Sequence, residues 1–285
     1  MTEPMPSRNF LTTAELAQRL GDPAVGIIDA SWHLPPTGRL GRAEFLQGHI
    51  PGAVFFDIDT IADLSTGLPH MLPDAAVLAK AMGTMGLGDG MGFVIYDALG
   101  LFAAARVWWT LRAYGVADVR ILEGGLPKWI REGRPLEKGE ARPQPRVFTP
   151  RLDPQWVASL DKVREALASG SAQVLDARPA DRFRGDAPEP RPGLRNGHMP
   201  GALNLPFSEI VEHGRLKSPE ALKGLFSAAG VDLRRPVITT CGSGVTAAIL
   251  ALAAEEAGGK VEGLYDGSWA EWGARDDCPV ATGAR

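Results

Sequence analysis

Cysteine is scarce in this chain, with only Cys241 and Cys278 among 285 residues. Two thiols make a poor disulfide framework at this length, and they fit a reducing compartment where a lone loop thiol stays reactive. Long apolar runs are missing too. The longest, around VTAAILALAA, falls well short of the about 20 residues that a bilayer span needs, so no membrane partner is expected. The opening MTEPMPSRNFLTTAEL has no apolar core of signal-peptide length, and the expectation is a cytoplasmic protein. Neither sign of charge dominates. Thirty basic against 34 acidic residues give a formal −4, which is no electrostatic footprint for nucleic acid. The five histidines and two cysteines show no ligand spacing, so no metal is expected, and no organic cofactor is implied. What remains is a globular composition and a length that suits about two domains.

An internal repeat organises that length. GIIDASW…GHIPGAVFFDID in the first half answers QVLDARP…GHMPGALNLPF in the second. Asp29 and Asp176 are 147 residues apart, His49 and His198 are 149 apart, and Trp129 and Trp272 are 143 apart. Near-constant offsets in the same order predict a duplicated domain of ordinary size. The stretch EKGEARPQPRVFTPRLDP lacks apolar periodicity, which predicts domains over 1–138 and 154–285 joined by a linker over 139–153. In the second copy AQVLDA, GALNLP, PVITTC and KVEGLY are strand candidates. WVASLDKVREALASG and SPEALKGLFSAAG have helical spacing and end in glycine. Strands alternating with helices predict an α/β fold, each copy a mainly parallel sheet with helices on both faces.

Cys241 stands where a buried strand, PVITT, meets the loop CGSGVT and then the helical run AAILALAAEEAG. A strand-to-helix turn leaves backbone N–H groups without intrahelical partners at the positive end of the helix dipole. Gly242 and Gly244 let the backbone curl, so a thiolate or another anionic sulfur would be held there. A small apolar side chain closing a buried strand is the other reading of the same cysteine. The loop lacks the lysine of a phosphate-binding P-loop. It also lacks the arginine that a cysteine phosphatase places six residues after its nucleophile, since positions 247 and 248 are alanine.

The duplicated halves, the two GH-x-PGA segments and CGSGVTA resemble the tandem rhodanese-like sulfurtransferases from about Leu11 to Val280. The loop is similar to that of the family's mercaptopyruvate-using branch, because the thiosulfate-using branch carries basic residues where Gly242 and Ser243 stand. The resemblance implies two rhodanese-like domains, the second catalytic and the first inactive. The first half has no cysteine, and its counterpart of Cys241 falls near Asp97 in VIYDALG. It further implies that Cys241 takes sulfur from 3-mercaptopyruvate as a persulfide, releasing pyruvate. The sulfur then passes to cyanide, a low-molecular-weight thiol or thioredoxin. The persulfide would be held by Gly242, Ser243, Gly244, Val245 and Thr246.

The loop RFRGDAPEPRPGLR supplies Arg182, Arg184, Arg191 and Arg195, and the family pattern singles out Arg182 and Arg191 for the donor carboxylate. Arginine suits such planar, forked recognition. The pattern also implies a proton relay of Asp59, His70 and Ser243. His49 and His198 recur in both copies, which favours a fold-maintaining role, and Asp29 and Asp176 read the same way, with Asp176 able to brace the catalytic loop. Trp32, Trp108, Trp109 and Trp269 are expected in the core or a pocket wall, and Cys278 is incidental. Thiosulfate as donor, and a rhodanese-like binding module without turnover, are the competing readings.

Overall fold

The computed structural model describes residues 8–284. The outer ends of the two expected domains, and the first residues read for a signal peptide, lie outside them. The chain falls into two compact units. The first holds the described residues up to Ile61, Ala75–Arg151 and His213–Arg215; the second holds Ala62–Asp74, Leu152–Glu212 and the residues from Leu216 on. Along the chain the main change of unit comes between Arg151 and Leu152, in a stretch without helix or strand. The segment Ala62–Asp74, which the repeat places in the first copy, belongs to the second unit.

In the first unit the strands are β1 (Phe10–Leu11), β2 (Val25–Asp29), β3 (Ala53–Phe55), β4 (Gly92–Tyr96) and β5 (Val119–Leu122). The helices between and after them are α1 (Thr13–Gln18), α2 (Gly41–Gln47), α3 (Ala75–Thr84), α4 (Ala103–Ala113) and α5 (Gly125–Arg131). The second unit repeats the plan with β6 (Val157–Ala158), α6 (Leu160–Ser169), β7 (Gln173–Asp176), α7 (Ala180–Arg184), β8 (Leu203–Asn204) and α8 (Phe207–Ile210). The short strands β9 (Val211–Glu212) and β10 (Arg215–Leu216) follow, then α9 (Pro219–Ala228), β11 (Val237–Thr240), α10 (Val245–Glu256), β12 (Val261–Tyr265) and α11 (Ser268–Trp272). The sheet orders β1-β5-β4-β2-β3 and β6-β12-β11-β7-β8 are the same order written twice, with every pairing parallel.

One expectation needs correction. The helical spacing read from Trp156 onward begins only at Leu160, because Val157–Ala158 pair with Leu264 and Tyr265 as the edge strand β6. The Ser159 hydroxyl accepts the Lys162 N–H at 3.2 Å and so starts the helix after the β-branched Val157. Gly170, at φ 70, ends it.

The repeat extends to individual hydrogen bonds. His49 Nδ1 bonds the Phe45 carbonyl and His198 Nδ1 the Phe183 carbonyl, each at 2.8 Å, and each ring stacks on that phenylalanine at 3.9 Å. The indoles of Trp129 and Trp272 donate to the carbonyls of Pro135 and Pro279 at 2.8 Å. These histidines hold the fold, as their recurrence implied. Trp108, Trp109 and Trp269 are fully buried, and Trp32 is half-buried. No helix among the described residues is long and apolar enough to cross a membrane.

Candidate active site

β11 is the central strand of its sheet, buried along its whole length, and the chain leaves it at Cys241. Its neighbour β7 starts the excursion to β8 on one side, while β12 lies on the other. A crevice outside the carboxyl ends of strands at such a reversal is where open α/β sheets place their ligands. The helix α10 that follows is apolar on all sides. Val245, Ile249, Leu250 and Leu252 are buried, each stabilising the unit by roughly 1.5–3 kcal/mol. The helix packs on β11 and β12, so the loop before it is anchored at both ends. Gly244 caps it at φ 77, a left-handed conformation that suits glycine, and brings no capping side chain of its own.

Cys241 is 2% exposed. Its carbonyl accepts the Trp269 N–H at 2.9 Å, and the Gly242 carbonyl accepts that of Ala270 at 2.9 Å, so the opening of α11 is sewn to the loop. The Cys241 N–H reaches the Ser268 hydroxyl at 3.3 Å, which itself donates to the Tyr265 carbonyl at 2.8 Å. Sequence reasoning missed Ser268, although the 143-residue offset of the tryptophans pairs it with Gly125. Gly125 has φ 53, and Ser268 holds nearly the same angle, φ 50, despite its side chain. The signal was a serine standing where the first copy has glycine.

Of the four arginines in the proline-rich loop, two face the cysteine loop. A methyl group at Gly242 would lie 3.4 Å from Arg182 Nη2 and 3.9 Å from Arg191 Nη1. Arg191 Nη2 also donates to the Ser243 hydroxyl at 3.3 Å. Arg184 instead pairs with Asp186 on the surface, and Arg195 donates to the carbonyls of Gly273 and Trp272 at 3.0 Å, tying down the end of α11.

Behind Arg182 stands a buried ion network that the sequence did not disclose. Asp176, at the end of β7, accepts Arg178 Nη2 at 2.7 Å and Nε at 2.9 Å. Arg178 stacks on Trp269 at 4.2 Å and donates through Nη1 to Glu189 at 2.8 Å. Glu189 in turn holds Arg182. Asp176 is therefore linked through Arg178 and Glu189 to Arg182. The second of the two acids in RFRGDAPEPR, Glu189, was the available clue.

His70 belongs to the same unit. It is buried at φ 60, and its Nδ1 lies 3.1 Å from the Ser243 hydroxyl. Asp59 lies in the first unit, exposed, and accepts the Trp32 indole N–H at 2.9 Å. Cys278 is a core thiol 3.2 Å from Arg164 Nη2. Among the described residues, no group of three or more His, Cys, Asp or Glu is placed to hold a metal.

The first unit repeats this construction with a different group at its centre. Asp97 follows β4 as Cys241 follows β11, its carbonyl accepting the Leu126 N–H at 3.1 Å. Its carboxylate accepts the N–H groups of Leu99 at 2.9 Å, Phe102 at 2.7 Å and Ala104 at 2.9 Å, filling the start of α4 with an anion of its own. Burial nevertheless pushes this carboxyl above the usual range.

The rhodanese-like domain family matches residues 12–132 and 159–275. The 3-mercaptopyruvate sulfurtransferase of Homo sapiens is 44% identical over 95% of this chain and 94% of its own. The thiosulfate sulfurtransferase of Bos taurus is 40% identical over 93% and 90%. The crystal structure of SseA from Escherichia coli, described under the rhodanese fold and mechanism of 3-mercaptopyruvate sulfotransferases, superposes with a TM-score of 0.85. It is 42% identical and is covered to 98%, over 91% of this chain.

Proposed function

The chain belongs to the rhodanese-like domain family, with two copies in tandem, and we propose that it is a 3-mercaptopyruvate sulfurtransferase carrying its sulfur as a persulfide on Cys241. The observation that carries the reading is the convergence of Arg182 and Arg191 on Gly242, one residue from the thiol. A binding module without turnover would not need two guanidinium groups aimed at a cysteine loop.

The donor carboxylate is gripped by Arg182 and Arg191, and the Cys241 thiolate attacks the donor sulfur. The carbon–sulfur bond breaks, and its electron pair leaves with the three-carbon fragment as the enolate of pyruvate. Cysteine persulfide remains, its outer sulfur facing the N–H groups of Gly242, Ser243, Gly244, Val245 and Thr246. The enolate takes a proton through Ser243 and His70, whose hydrogen bond at 3.1 Å suits such a relay. Cyanide, a small thiol or reduced thioredoxin then attacks the outer sulfur and restores the thiolate. Residues 139–153 link the copies, and the cytoplasm supplies the reducing conditions. The first copy is catalytically silent, because a carboxylate that already fills its own row of N–H groups can neither attack sulfur nor yield that space.

Thiosulfate is the second reading, favoured by the 40% identity to the bovine enzyme. Against it, Gly242 and Ser243 offer no side-chain cation to a dianion. Two measurements test the choice. Steady-state kcat/KM should be higher for mercaptopyruvate than for thiosulfate, and mass spectrometry after donor exposure should find one added sulfur on the Cys241 peptide. Cys241→Ser should abolish turnover and Cys278→Ser should retain it. Sulfur on Cys278 instead would overturn the assignment.

A further inference from the structure

Glu189 takes no part in the steps above, yet its side chain is only 2% exposed. Its Oε1 accepts Arg178 Nη1 at 2.8 Å and Arg182 Nε at 3.3 Å, while Oε2 accepts Arg182 Nη2. Arg178 already has a carboxylate partner in Asp176, a second acceptor in the Gly197 carbonyl at 2.9 Å, and the face of Trp269. Asp176 already neutralises Arg178, and Glu189 adds a carboxylate shared between Arg178 and Arg182, the guanidinium that lies over Gly242.

Two consequences follow from elementary electrostatics. The edge of Arg182 formed by Nε and Nη2 is bound to Glu189, which fixes the plane of a guanidinium whose Nη2 lies nearest Gly242. The donor site also carries one positive charge fewer than its arginines alone would give it. An added charge acts on every unit of charge in the donor, so it is worth twice as much to a dianion as to a monoanion. Burial keeps salt from erasing the difference.

On the sulfurtransferase reading, we infer that Glu189 is a positioning and specificity residue. It orients Arg182 over the Cys241 loop and tunes the site to a singly charged 2-oxo-acid thiol over a doubly charged donor such as thiosulfate. A plain brace for the loop would orient Arg182 equally for both donors and leave their ratio alone.

Three variants separate these roles, assayed for kcat/KM with mercaptopyruvate and with thiosulfate against cyanide. Glu189→Gln keeps the shape and removes the charge, and should raise the thiosulfate-to-mercaptopyruvate ratio about tenfold, the order expected of one added unit charge in a half-buried site. Glu189→Asp keeps the charge and loses reach, so both donors should weaken with the ratio held within about twofold. Arg182→Gln removes a positive charge and should move the ratio the opposite way, which keeps the idea testable if Glu189→Gln folds poorly. An unchanged ratio in both glutamine variants reduces Glu189 to a brace and overturns the inference. A wild type that prefers thiosulfate instead overturns the mercaptopyruvate reading, while the shift between wild type and Glu189→Gln still judges Glu189. A wild type that turns over neither donor overturns both.

Discussion

Replacing Asp29 with asparagine should stabilise the first unit at neutral pH and not at pH 4. Asp29 ends β2 and is almost wholly buried, and its carboxylate accepts the Ser31 N–H at 2.8 Å. Asp176 occupies the same place in the second unit with Arg178 beside it, where the first unit has Ser31. Without that cation, burial pushes the Asp29 carboxyl from 3.8 up to about 6, helped by the nearby Asp97 and opposed by hydrogen bonds from Ser31 and Tyr96. At ~1.4 kcal/mol per tenfold change in proton affinity, that rise is worth about 3 kcal/mol. The folded carboxyl keeps its proton to a higher pH than the unfolded one. Its contribution is therefore fully present below about pH 4 and is lost as the pH rises through about 6. Asparagine still accepts the Ser31 N–H but must turn its amide toward Tyr96, at a pH-independent cost of about 1 kcal/mol. The variant should thus be slightly less stable than wild type at pH 4 and about 2 kcal/mol more stable near pH 7.5. Hydrogen exchange of the β2 and β4 peptides, followed by mass spectrometry from pH 4 to 8, isolates this unit from the other. Stability curves that run parallel across that range would refute the reasoning.

The remaining predictions concern the donor grip and the first copy's internal anion. Arg182→Ala and Arg191→Ala each remove a charge-assisted hydrogen bond of roughly 1.5–3 kcal/mol and should lower kcat/KM for mercaptopyruvate about 10- to 100-fold. Lysine should rescue poorly because it lacks the fork, and cyanide discharge of a preformed persulfide should be nearly unaffected. Wild-type donor kinetics in both alanine variants would remove these side chains from the site. Asp97→Ala strips two buried N–H groups and one half-buried N–H group of their acceptor and should destabilise the first unit by about 3 kcal/mol, read by the same exchange experiment. Sulfur loading on Cys241 should be unchanged, and a loss of loading without a loss of protection would contradict a silent first copy.

The sequence by itself determined the duplication, the alternation of strand and helix, and the loop that carries Cys241. Each is written in local pattern: a constant offset, a period of 2 or 3.6, glycine at a helix end. His49 and His198 could be given structural roles because one sequence showed them twice. Helix α6 marks where such pattern gives out, since Val157 and Ala158 fit a helical stripe and only the neighbouring β12 draws them into the sheet. Tertiary structure alone set where each arginine of the proline-rich loop goes. Arg182, Arg184, Arg191 and Arg195 look alike in a proline-rich loop, whose path no short-range preference fixes. Folding brings Arg182 and Arg191 to Gly242 and sends Arg195 to the end of α11. Only folding sets the buried Glu189 between Arg178 and Arg182, and places His70 in one unit with Ser243, 173 residues away. A buried charge must find its partner wherever the chain supplies one, and that search runs through space, where sequence spacing has no say.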